Sequence, residues 1–253
     1  MNNDQNNLIA VVGGTGLYSM MEDFELVRQE IVNTPYGEPS GPLVHGRLHG
    51  KNVVFLARHG FTHRLPPHRI NYRANIWMFK KVGVDRIIAV NAVGAINANS
   101  PPETLIIPDQ IIDYTWGREH TFYAEDLTRV VHIDFTNPYS ESLRKTLITA
   151  GKNCALNLVE SGVYGCTQGP RLETSAEIRR LQQDGCDLVG MTGMPEASLA
   201  RELSIEYASI AVVANWAAGL GDAEISMDQI DASLQKGMES VKTLVSETVK
   251  LCD

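Results

Sequence analysis

The 253-residue sequence has no CxxC pair. Cys154, Cys166, Cys186 and Cys252 stand apart, which excludes a zinc ribbon and reads as reduced thiols rather than a disulfide framework. No uncharged apolar run approaches the ~18 residues of a membrane span, and the polar opening MNNDQNN lacks the basic flank and apolar stretch of a secretion signal. Internal repeats, low-complexity tracts and linkers are also missing. Nor is there a surplus of positive charge: 22 Lys and Arg against 30 Asp and Glu leave a net −8, so most of the surface repels nucleic acid and anionic membrane. These absences lead us to expect a cytoplasmic protein that handles a small molecule. With 43% hydrophobic residues, the chain is large enough for one substantial core, so residues 1–253 are expected to form a single domain, with 1–7 disordered.

What is present alternates. LIAVV (Leu8 to Val12), VVFLA (Val53 to Ala57), RIIAVNAVG (Arg86 to Gly94) and YASIAVVAN (Tyr207 to Asn215) are short, rich in branched residues and bounded by Gly, Asn or charge, which predicts buried strands. Helical spacing is predicted over Asn71 to Gly83, Tyr139 to Gly151, Ser175 to Gly185 and Met227 to Cys252. Alternation of this kind predicts an α/β fold, a single-domain mixed and largely parallel sheet flanked by helices, with its site at the strand ends. Residues Thr115 to His132 form a long, weakly patterned loop, of the sort that caps pockets.

Against the acidic background, LARHGFTHRLPPHRINYRANIW (Leu56 to Trp77) concentrates arginine and histidine, suggesting a pocketed anion such as phosphate. Arg58 and His59 follow a strand; a guanidinium fork suits phosphate, and an Arg at a strand end is expected to add little to the core. His59, His63 and His68 have a spacing that suggests metal ligands, but Arg58, Arg64 and Arg69 beside them oppose a bound dication. We therefore expect no metal. In VVGGTGLY, Gly13, Gly14, Thr15 and Gly16 offer backbone N–H groups and a hydroxyl to an oxyanion, although a tight strand-to-turn connection explains these glycines as well. The stretch is neither GxGxxG nor a P-loop, which argues against a dinucleotide binder. NAVGAI (Asn91 to Ile96) follows another strand. Glu173, Met191, Thr192, Glu196 and Asn215 all fall at turns or strand ends within Cys166 to Gly219.

Taken in order, GGTGL, ARHG…H…P…NYRANIW, NAVGAI, GPRLET and MTGMPEASLARE…YASIAVVAN resemble the trimeric purine nucleoside phosphorylase and methylthioadenosine phosphorylase family over essentially the whole chain. Within it the sequence is most similar to the bacterial S-methyl-5′-thioinosine phosphorylases. The resemblance implies a pentosyltransferase that uses inorganic phosphate as co-substrate, with no organic cofactor and no metal. It assigns phosphate to Thr15, Arg58, His59, Asn91, Ala92 and Thr192. Met191 would pack under the ribose, Asn215 would serve the purine as a catalytic donor beside Trp216, and His132 would close the 5′ end of a neighbour's sugar in a homotrimer.

Base choice follows from hydrogen-bond chemistry. Two aspartates read adenine in the thioadenosine enzymes; their positions here hold Asn215 and Ala217, and Ala217 has no acceptor for an exocyclic amine. An amide serves either base, donating and accepting with adenine or donating twice to a 6-oxopurine. Glu173 accepts from the ring N–H that a 6-oxopurine has and adenine lacks, although a helix start also favours a carboxylate. The resemblance places Met227 where the thioadenosine enzymes have an apolar residue and the ordinary purine nucleoside enzymes a histidine, and an apolar wall would suit a methylthio group better than a hydroxyl. The expected reaction is phosphorolysis of S-methyl-5′-thioinosine. The alternatives are a general 6-oxopurine nucleoside phosphorylase, a methylthioadenosine phosphorylase, and a nucleoside-binding module without turnover.

Overall fold

The computed structural model describes residues 8–14, 24–125, 128–221 and 225–252. Residues 1–7 and Thr15, which carried expectations of disorder and of phosphate binding, lie outside them.

Two long strands organise the chain. β1 (Leu8–Gly13), β2 (Glu25–Glu30), β3 (Leu43–Leu48) and β4 (Lys51–Ala57) precede α1 (Tyr72–Lys81) and the 12-residue β5 (Val84–Ala95). Next come β6 (Leu105–Ile106), β7 (Gln110–Asp113), α2 (Glu141–Asn153), β8 (Leu158–Val159), β9 (Val163–Cys166) and α3 (Ser175–Gln183). β10 (Leu188–Gly190), α4 (Glu196–Glu202), the 11-residue β11 (Glu206–Trp216) and α5 (Met227–Leu251) complete the order. The sheet runs β2-β3-β4-β1-β5-β10-β9-β7, with β11 beside β5 and carrying β6 and β8.

The central pairs β4·β1, β1·β5 and β5·β11 are parallel, and β2·β3 and β3·β4 are antiparallel. His49 and Gly50 turn β3 into β4 with φ of 53° and 78°, the left-handed backbone of a two-residue hairpin turn. Because strand side chains alternate between faces, β1 sends Ile9 and Val11 to one side and Ala10 and Val12 to the other. The first side packs on Met238, Val241 and Val245 of α5 and on Leu143 and Leu147 of α2. The second packs on Ile76 and Phe79 of α1 and on Ala197 and Ala200 of α4. Each fully buried aliphatic side chain contributes roughly 1.5–3 kcal/mol, so both helical layers are held by burial.

All four predicted strands and all four predicted helices are present, and the sheet is mixed and largely parallel. Strands β2, β3 and β6 to β9 were not predicted, while β10 ends at Gly190, just before Met191 and Thr192, which were expected at a strand end. No described helix is long and apolar enough to cross a membrane.

Candidate active site

The parallel strands β1 and β4 end side by side at Gly13 and Ala57, one residue past the Val12–Ala89 pair, while β5 and β11 run on together to Ala95 and Trp216; the carboxyl ends of such strands are where α/β sheets place their ligands. A cavity of about 510 Å³ opens there, within the range of small-ligand sites. Gly14, Arg58, His59, His63, Ala92, Thr192, Met191, Glu173, Asn215 and Ala217 line it, and α5 supplies a wall of Met227, Ile230, Leu234 and Met238. Chain segments far apart in sequence thus converge on one space.

Arg58 departs most from its expected character. It is only 1% exposed, and so is its partner Glu196 at the start of α4. Arg58 Nε and Nη2 each donate to the Glu196 carboxylate at 2.8 Å, Nη1 donates to the Val90 carbonyl at 2.9 Å, and Nη2 reaches the Val12 carbonyl at 3.5 Å. Burial works against its charge, but the Glu196 carboxylate outweighs burial and shifts the guanidinium pKa upward. Far from adding little to the core, Arg58 ties β4 to β5 and α4. Of its five N–H donors these bonds engage four, which leaves one at Nη1 for a ligand. Tyr207 donates to the same carboxylate at 2.9 Å.

His59 is held as a neutral ring. Burial is the largest cause and brings its pKa down to about 4; the hydrogen bond to the Leu65 carbonyl opposes this, and Arg58 and His63 reinforce it. His63 stacks on it at 4.6 Å between ring centres.

Asn91 does not line the cavity. Buried at the centre of β5, it receives the Ser209 hydroxyl on Oδ1 at 2.7 Å and donates from Nδ2 to Thr192 Oγ1 at 2.7 Å. It therefore touches Thr192, which does line the cavity together with Ala92.

On the other side of the opening, Thr167 donates its hydroxyl to Glu173 Oε1 at 2.6 Å. This fixes the carboxylate of Glu173 through one oxygen and leaves Oε2 outside that bond. Gly169, with φ +61°, lets this segment pass so close to Met191 that any Cβ there would collide with the Met191 sulfur. Asn215 is aimed by a bulge: Val213 pairs with Val93 and Asn215 with Gly94, leaving Ala214 as an extra residue. Asn215 Nδ2 donates to the Trp216 carbonyl at 2.6 Å, so one N–H remains for a ligand, fewer than the two that double donation to a base requires. Trp216 is half-buried and contributes this carbonyl rather than a wall of the cavity.

Met227 lines the cavity and is 65% exposed. His132 is exposed on the long loop and does not line the cavity of its own chain. The same loop contains a residue that sequence reasoning missed. Arg118 donates to the Met191 and Met194 carbonyls at 2.9 and 2.5 Å and to the Gln168 carbonyl at 2.9 Å. It clamps the segment bearing Glu173 to the segment bearing Met191 and Thr192. A lone Arg in an unpatterned loop gave no signal of this. Among the described residues no group of three His, Cys, Asp or Glu is placed to hold a metal ion.

The arrangement offers neutral and charge-paired donors at one wall, a fixed carboxylate and an amide at another, and an apolar helix face at a third. Residues 8–250 match the Phosphorylase superfamily. A probable S-methyl-5′-thioinosine phosphorylase of Xylella fastidiosa (strain Temecula1) is 53% identical over 96% of this chain and 98% of its own. A 6-oxopurine nucleoside phosphorylase of Pyrococcus furiosus is 45% identical over 96% of this chain and 92% of its own. Among solved structures, methylthioadenosine phosphorylase from Schistosoma mansoni in complex with adenine superposes with a TM-score of 0.92 at 33% identity, over 96% of this chain and 91% of that one.

Proposed function

The chain belongs to the phosphorylase superfamily, and on that premise we propose that it cleaves S-methyl-5′-thioinosine with inorganic phosphate, releasing hypoxanthine and 5-methylthioribose 1-phosphate. The observation that carries this reading is Glu173, a carboxylate pinned by Thr167 and facing the same cavity as Asn215. An ionised carboxylate only accepts hydrogen bonds, and the ring N–H of a 6-oxopurine supplies the donor that adenine lacks.

In phosphorolysis, positive charge builds on the ribose while negative charge builds on the departing purine. Thr192, His59 and the remaining Arg58 N–H hold phosphate below the sugar, with Asn91 acting through Thr192. Thr15 and the backbone at Ala92 join them by the family resemblance. Met191 packs under the ribose. Asn215 gives its remaining N–H to the imidazole-ring nitrogen of the purine and stabilises the leaving group. Holding both reactants in place accounts for much of the acceleration, up to ~7–11 kcal/mol in favourable systems. Phosphate is the co-substrate, and the reaction proceeds without metal or organic cofactor. The apolar side chains of Met227, Ile230 and Leu234 receive the methylthio group.

Asp231 also lines the cavity from α5. Its carboxylate is an acceptor for a 5′-hydroxyl, which favours a second reading: a general 6-oxopurine nucleoside phosphorylase acting on inosine or guanosine.

Incubation with phosphate and methylthioinosine, methylthioadenosine, inosine or adenosine separates these readings. Methylthioinosine is expected to react fastest. Glu173→Ala should lose more rate with methylthioinosine than with methylthioadenosine, while Asn215→Asp with Ala217→Asp should move the preference toward methylthioadenosine. Faster cleavage of methylthioadenosine by the unaltered protein would refute the base assignment, and dominance of inosine would favour the second reading.

A further inference from the structure

The hydrogen-bond polarity of the cavity wall around His59 carries a consequence for which anions it accepts, and it rests on reading that wall as the phosphate subsite. His59 Nδ1 lies 2.8 Å from the Leu65 carbonyl oxygen. A carbonyl oxygen only accepts, so the ring proton sits on Nδ1. The neutral imidazole then has a lone pair, and no proton, at Nε2. His59 lines the cavity, and with Nδ1 turned to Leu65 the opposite edge of the ring is the one left for a ligand. Burial favours this neutral form, as do the two charged or titratable neighbours, Arg58 and the stacked His63.

Thr192, which lines the same cavity, has the opposite polarity. The Ser209 hydroxyl donates to Asn91 Oδ1, which orients the amide so that Nδ2 donates to Thr192 Oγ1. Thr192 already accepts from Asn91, so its own hydroxyl proton is directed elsewhere and serves the anion. Arg58 adds one N–H, its charge being matched by Glu196. The wall therefore presents donors from Thr192 and Arg58 and an acceptor from His59.

We infer that this subsite selects an oxyanion that carries a proton, with His59 Nε2 accepting that proton. Hydrogen phosphate and hydrogen arsenate have such a proton at neutral pH, whereas sulfate and selenate have none. All four are dianions in these forms, so overall charge does not distinguish them. Sulfate or selenate would set an oxygen lone pair against the Nε2 lone pair and leave a buried acceptor unmade.

The test compares, at pH 7.5, the KM for phosphate and arsenate with the inhibition constants of sulfate and selenate as competitors of phosphate. Sulfate and selenate are expected to bind about 30-fold more weakly or worse, the size of one unmade buried hydrogen bond. In His59→Gln, whose amide can turn an N–H toward the anion, the gap should shrink to about 5-fold or less. ¹⁵N spectra of the imidazoles, with His59→Gln for assignment, should show the Nδ1–H form of His59 retained when phosphate binds.

Sulfate binding within about 3-fold of phosphate would overturn the inference, as would a doubly protonated His59 in the complex. If His59→Gln does not fold, the anion ratio of the unaltered protein still decides. Absence of any phosphate-dependent turnover would instead remove the phosphate-subsite reading, and this inference with it.

Discussion

Arg58 is a buried structural partner of Glu196, and the proposed reaction gives its remaining N–H a second role toward phosphate. Its bidentate pair with Glu196 is fully buried, and removing one partner of such a pair leaves an uncompensated charge at a cost of about 3–5 kcal/mol. Arg58→Ala is therefore expected to lose that much stability in urea unfolding and also to raise the KM for phosphate. Adding Glu196→Gln should recover part of the stability without restoring phosphate affinity. Unchanged unfolding of the single variant would contradict the structural role. His59 gives a pH signature. Its pKa is about 4 in the folded protein against an ordinary 6.5, so between those values the unfolded chain binds the extra proton. Stability should fall as pH drops from about 6.5 to 4, by up to roughly 2–3 kcal/mol. Thermal unfolding across that range should show a flatter profile for His59→Gln than for the unaltered protein.

Among the elements, α3 bears most directly on specificity. Thr174 caps it in a reciprocal capping box with Glu177, and Arg171 pairs with the same Glu177. The cap fixes the chain one residue beyond Glu173. Thr174→Ala should cost about 1 kcal/mol and release Glu173 from its position, narrowing the ratio of methylthioinosine to methylthioadenosine turnover while leaving the KM for phosphate in place. A stability loss with an unaltered base ratio would show that Thr167 alone holds the carboxylate. The bulge in β11 positions Asn215 in a comparable way, since without its extra residue every later side chain would change face and Asn215 would leave the cavity.

At the scale of the whole molecule, the long loop that clamps the site through Arg118 also carries His132, Trp116 and Val130 on its exposed side. His132 does not line the cavity of its own chain, so its proposed role is one played toward a neighbouring subunit. Sedimentation at assay concentration is expected to show a trimer, and His132→Ala should raise the KM for the nucleoside while leaving that for phosphate nearly unchanged. A fully active monomer would exclude the shared site without touching the phosphate chemistry.

Strands β1, β4, β5 and β11 were legible because buried parallel strands read as continuous branched apolar runs, and the helices because their apolar spacing and glycine ends are local signals. The same holds for the chemical identity of Glu173, Asn215 and Ala217, since donor and acceptor inventories belong to residue types. β6 and β8, of two residues each, and the exposed β2 have no periodicity to read; they become strands only because a neighbouring edge supplies hydrogen-bond partners. Pairing of Arg58 with Glu196, 138 positions apart, the Ser209–Asn91–Thr192 chain and the Leu65 carbonyl that sets the His59 tautomer were decided by tertiary structure alone. A sequence states which groups can donate or accept, but only the packed chain brings them within about 3 Å and removes the water that would otherwise satisfy them.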